Sequence, residues 1–143
     1  MATLNPQGYT LAEEIANAVT HGLGTAAAII ALTLMLVKAM PSSLSAWQMA
    51  GIAVYGGSMI ALFLSSTLYH SFTHQPTKAV LKRFDHSTIY LLIAGTYTPL
   101  LMISLHSTMA NILLIVIWAL ALAGVMFKIF FVHKFKRASL ITY

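Results

Sequence analysis

From Ser87 to Phe127 the chain contains no Asp, Glu, Lys or Arg. That stretch is about twice the roughly 20 residues one membrane-crossing helix needs. It therefore reads as two spans joined by a tight hairpin, placed at Ser104-Leu105-His106-Ser107-Thr108 with Asn111 just beyond. A second charge-free stretch lies between Lys38 and His70, broken only by the short loop Pro41-Ser42-Ser43-Leu44-Ser45. Four spans follow, at about 22–40, 46–70, 87–104 and 109–131. The predicted class is all-α, a polytopic membrane bundle forming one integral domain over 1–143.

Composition agrees. Charged residues are 8% of the chain, against about 25% in a soluble globular domain. Eight basic residues against three acidic ones could suggest nucleic acid, but a nucleic-acid binder needs a dense basic face. Here the cations are few and lie between apolar runs, so no nucleic-acid partner is expected. There is no cysteine, hence no disulfide framework and no thiolate metal site.

The N-terminal segment to Glu14 has two acids and no base, unlike a cleaved signal peptide. The first span is expected to be an uncleaved anchor. Thr10-Leu11-Ala12-Glu13 fits a capping box, and Leu11, Ile15, Ala18 and Val19 share one helical face. This predicts a short amphipathic helix over 10–20, cytoplasmic and packed on the rest of the protein. Residues 71–85 read as a polar loop. With Lys78, Lys82 and Arg83 there, and Lys134, Lys136 and Arg137 after span four, the positive-inside rule puts the N-terminus, this loop and 133–138 in the cytoplasm. An apolar pattern restarts at 138–143, as the start of a fifth span.

Two packing features are legible. Ala53, Gly57, Ala61 and Ser65 recur every four residues and would let a neighbouring helix approach closely. Pro99, four residues after Gly95, predicts a kink, with Thr96 and Thr98 available to bond freed backbone groups.

Chemistry concentrates at one end of the bundle. Ser66 and His70 are spaced i, i+4 and share a helix face. Asp85 would open span three at the same depth. Polar side chains at membrane depth are functional by default, and imidazole is a common zinc ligand. Plainer readings stand beside this one: Asp85 as a helix N-cap, Ser66 as a small packing residue, His70 as an interfacial residue without a ligand. His74 follows His70 by four, but Phe72, Thr73 and Pro76 suggest that the helix is ending. His86 would point away from Asp85, His106 lies in the opposite hairpin, and His133 beside Lys134 reads as interfacial.

Four motifs in order carry a resemblance: Glu14-Ile15-Ala16-Asn17-Ala18-Val19-Thr20-His21, Ser66-Thr67-Leu68-Tyr69-His70, Phe84-Asp85-His86, and Ala94-Gly95-Thr96-Tyr97-Thr98-Pro99. Together they resemble the hemolysin III family, the bacterial branch of the progestin and adipoQ receptor group, which is more distantly similar to alkaline ceramidases. The resemblance implies a seven-helix fold in a bacterial inner membrane, with the N-terminus inside and a zinc ion near the cytoplasmic helix ends. It implies His70 as a zinc ligand, with Asp85 and Ser66 supporting the metal-bound water. It implies Glu14, Asn17 and His21 as a bracing motif that does not bind metal. The family's His-x-x-x-His on its last helix has no counterpart before Tyr143. The remaining ligands are therefore expected beyond that residue, and the chain is expected to be a C-terminally truncated fragment.

Three functions follow as expectations, with membrane lipid as partner and any protein partner open. The first is a membrane-homeostasis protein with a zinc site. The second is a zinc-dependent lipid amidase or esterase, and the third a pore-forming cytolysin.

Overall fold

A computed structural model describes residues 8–105 and 107–131. Within them the chain is four long helices: α1 (Leu11–Ala39), α2 (Ala46–Ser71), α3 (Gln75–Pro99) and α4 (Thr108–Phe131). A π-helical turn, Leu100–Ser104, continues α3. All four are long and apolar enough to cross a membrane. Each packs on its neighbour in sequence, α1 on α2, α2 on α3 and α3 on α4. His106, the 133–138 basic segment and the expected fifth-span start at 138–143 lie outside the described residues.

The helix starts obey local rules. Thr10 caps α1 with the predicted box: its hydroxyl accepts from the Glu13 N–H, and Glu13 accepts from the Thr10 N–H at 2.7 Å. Ser45 and Gln48 form a second box at the start of α2. The expected break between a 10–20 surface helix and a 22–40 span is absent, since α1 runs unbroken through both. No Pro or polar cluster interrupts it, and continuing a helix is far cheaper than nucleating a second one.

The expected polar loop at 71–85 is also different. Only Phe72–His74 connects α2 to α3, and Pro76 stands in the first turn of α3. Proline fits there because the first helical N–H groups lack partners anyway. Asp85 therefore lies well inside α3 and neither opens nor caps it.

Burial is inverted relative to a soluble protein. Large apolar side chains such as Ile30, Leu34, Ile115 and Leu120 face outward, while Ser58, Ser65, Ser66, Ser87, Thr88 and Thr98 are buried. Ser65 Oγ and Thr88 Oγ1 share a 3.0 Å hydrogen bond between α2 and α3. Trp118 Nε1 donates to Thr98 Oγ1 at 3.0 Å, tying α4 to α3. Interhelical bonds of this kind average about 0.6 kcal/mol in a membrane. Trp118→Phe is expected to cost about that much, read as a small fall in the midpoint of denaturing-detergent unfolding.

The predicted small-residue stripe is not the packing face. Ala53 and Gly57 are exposed, whereas Gly51, Gly56, Ser58 and Ser65 are buried. A Cβ at Gly56 would stand 2.8 Å from the Cβ of Leu32, and one at Gly95 would overlap Ser58. A four-residue repeat drifts around a 3.6-residue helix, so the buried line follows the seven-residue step Gly51, Ser58, Ser65 instead. At Pro99 the chain answers the missing N–H with the π turn. Thr96 and Thr98 bond the Leu92 and Ala94 carbonyls, each one turn back.

Candidate polar site at the helix ends

Glu14, in the first turn of α1, is 7% exposed. Its carboxylate joins two partners from different helices. Oε2 lies 2.6 Å from His70 Nδ1, at the end of α2. Oε1 lies 2.9 Å from Lys78 Nζ, in the first turns of α3. One carboxylate thus pins the ends of three helices.

Lys78 is 3% exposed, and all three of its ammonium protons find acceptors. Besides Glu14 they reach the Tyr69 carbonyl at 3.0 Å and the Phe72 carbonyl at 3.2 Å. Carbonyls in the last turn of a helix lack intrahelical partners, so Lys78 closes the end of α2. Its Nζ also lies 4.9 Å from the centre of the Tyr69 ring. The chemistry of His70 follows from the same contacts. A carboxylate on Nδ1 favours the proton there and leaves Nε2 as an acceptor for a hydroxyl or a proton.

His70 is packed by rings. Tyr69 is 4.6 Å away between centroids, Tyr9 is edge-on at 5.5 Å, and His21 is stacked at 6.3 Å. The bracing motif therefore splits: Glu14 contacts His70 directly, His21 lies beside it, and Asn17 is half-buried on the same helix. Ser66, one turn before His70, is 4% exposed.

Asp85 stands close in level. The Ser65–Thr88 bond sets the α2–α3 register, which brings Asp85 within a turn of His70. Its carboxylate meets His86, whose Nδ1 is 3.4 Å from Oδ2. Against the expectation that His86 points away, its ring sits beside Asp85, and its Nδ1–H donates to the Lys82 carbonyl at 2.8 Å. His74 bonds Thr77 at 2.9 Å and starts α3, so it forms no pair with His70.

The expected zinc site is corrected. Among the described residues there is no group of three or more His, Cys, Asp or Glu able to hold a metal ion. His70 has given Nδ1 to Glu14, and an ammonium sits 2.9 Å from the same carboxylate. The expected zinc therefore has no ligand group among the described residues. The purified chain is expected to show no change in melting temperature when a chelator is added; a fall of several degrees would reverse this correction.

Lys78 is the residue that sequence reading missed. The sequence places it in a polar loop, yet it lies on one face of α3 with Asp85 and Thr88. The usable signal was Glu14: an acid four and seven residues before Ala18 and His21 on an apolar helix needs a buried partner.

Comparison with known proteins adds the following. A family model described as "Haemolysin-III related" matches residues 9–143. A "Hemolysin-3 homolog" of Bacillus subtilis (strain 168) is 49% identical over 135 residues, 94% of this chain and 63% of that protein. "Hemolysin-3" of Bacillus cereus is 47% identical over 131 residues, 92% and 59% of the two chains. The human "Monocyte to macrophage differentiation factor" is 28% identical over 139 residues, covering 94% of this chain and 57% of its own length. The chain thus spans less than two thirds of the length of these relatives. No solved structure matches.

Proposed function

The chain belongs to the haemolysin-III related family, and from that premise we propose that its Glu14–His70–Lys78 cluster engages the polar headgroup of a membrane lipid. The reading places the four helices as the first part of a seven-span bacterial plasma-membrane protein. It is supported by the chain's covering only 63% and 59% of the two Bacillus relatives. The cluster and the N-terminus face the cytoplasm. Lys82 and Arg83 flank that end, and Lys134, Lys136 and Arg137 follow α4 in sequence.

One observation carries the proposal. A carboxylate, an imidazole and an ammonium, with side chains 9%, 8% and 4% exposed, are joined at the ends of helices long and apolar enough to cross a membrane. Burying such groups is costly, and in membrane proteins they mark the working site. Glu14 orients His70, and Nε2 of His70 faces the ligand hydroxyl. Ser66, Asp85, Asn17 and His21 form the polar surroundings of that end.

Photo-crosslinking tests this. In membranes grown with a diazirine fatty acid, peptides 9–19 and 70–78 are expected to carry more lipid adduct than the exposed face of α4. His70→Ala is expected to remove that excess. Labelling that merely follows exposure, unchanged by His70→Ala, would overturn the proposal.

A further inference from the structure

A cleft of about 500 Å³ opens beside the cluster, between the start of α1 and the α2–α3 junction. Its two sides differ. Leu11, Ile15 and Val19 line it from α1 at helical spacing, and they are 72%, 55% and 55% exposed. Across from them stand Ser71, Thr73 and Gln75, with Glu14, His70 and Lys78 at the inner end. The cleft therefore has an apolar ramp leading to a hydrogen-bonding end, the outline of an amphiphile.

We infer that this cleft binds an uncharged, hydroxyl-bearing lipid such as a monoacylglycerol, in preference to an anionic phospholipid. The inference rests on the lipid reading above and adds the headgroup class. Its warrant is charge pairing. Both oxygens of Glu14 are engaged, one by Lys78 and one by His70, and the three protons of Lys78 are all used. Among the described residues lining the cleft, Lys78 is the one Lys or Arg and its protons are all used, so a phosphate there would lie against the Glu14 carboxylate. Like-charge juxtaposition of that kind selects against a ligand. Ser71, Thr73 and Gln75 are neutral groups that exchange hydrogen bonds with a glycerol hydroxyl at no such cost.

The absence of cysteine makes a clean test. Ile15→Cys puts a single thiol on the cleft wall, Val19→Cys repeats it one turn on, and Trp47→Cys at the far end of α2 serves as control. Each variant is placed in phosphatidylcholine nanodiscs containing a minor fraction of either monoolein or phosphatidylglycerol, and its alkylation by a maleimide is timed. Monoolein is expected to slow both cleft thiols about tenfold, a preference of about 1.4 kcal/mol, with the control unchanged and phosphatidylglycerol without effect. Equal protection by both lipids overturns the headgroup inference and leaves the lipid site standing. Protection by neither overturns the inference, and the site reading falls with it only if the diazirine labelling also shows no excess. A cleft thiol that reacts in no disc means other residues of the chain cover the cleft, which also overturns it.

Discussion

Lys78→Met is expected to destabilise the helix bundle by about 3–5 kcal/mol, the range for breaking a buried ion pair from one side. The substitution keeps most of the stem volume but removes the ammonium. Glu14 then retains its charge in a buried setting with only His70 as partner, and the Tyr69 and Phe72 carbonyls lose their donor. An unpaired buried carboxylate is the largest of these losses. Its signature is rescue: Glu14→Gln in the Lys78→Met background removes the orphan charge and is expected to recover a large part of the stability. Lys78→Arg is not expected to substitute, because a planar guanidinium cannot send three donors in the directions a compact ammonium does. The check is a double-mutant cycle by thermal unfolding in detergent. Strictly additive effects of the two substitutions would show that Glu14 and Lys78 act separately and would dismantle the described tie.

The same residues show how far the sequence could be read. The all-α class and four helices long and apolar enough to cross a membrane followed from long charge-free runs, because a membrane helix must be apolar over most of its length. The Thr10 capping box was legible because it is a contact three residues long. The site was only half legible. Ser66, His70 and Asp85 stood out as polar residues at one end, but the partner of His70 is 56 positions away in sequence. A contact across that distance depends on how three helices meet, which local patterns do not encode. Lys78 was hidden for a further reason. A lysine in a hydrophilic run looks solvated, and only a three-dimensional carboxylate and two helix-end carbonyls make its burial tolerable. The zinc expectation came from the family resemblance and not from any local pattern, and among the described residues no group of three or more metal-binding side chains stands behind it.

Packing gives the second large expectation, at the crossing of α2 and α3. A Cβ added at Gly95 would overlap Ser58 and lie 3.5 Å from the Cα of Tyr55, so any side chain there meets both a neighbour and the backbone behind it. Ser58 has little room to yield, being 8% exposed with its hydroxyl bonded to the Tyr55 carbonyl at 2.7 Å. Gly95→Val is therefore expected to cost about 1–3 kcal/mol through overpacking. Val at an ordinary exposed helical position should instead be neutral or slightly favourable relative to Gly. Gly57 supplies that reference, because a Cβ there meets nothing within 4 Å. Gly57→Val is expected to leave the unfolding midpoint unchanged. Gly95→Ala with Ser58→Gly moves the missing volume from one helix to the other and is expected to restore most of what Gly95→Ala alone loses. If Gly95→Val and Gly57→Val shift the midpoint equally, the effect belongs to helix propensity and not to the crossing. The close approach of α2 and α3 would then no longer explain the glycine. If they differ as expected, Gly95 holds the two helices close enough for the Ser65–Thr88 bond, which sets the level of Asp85 against His70. A substitution nearly two helical turns away from Thr88 would then loosen the polar end of the bundle without touching any residue in it.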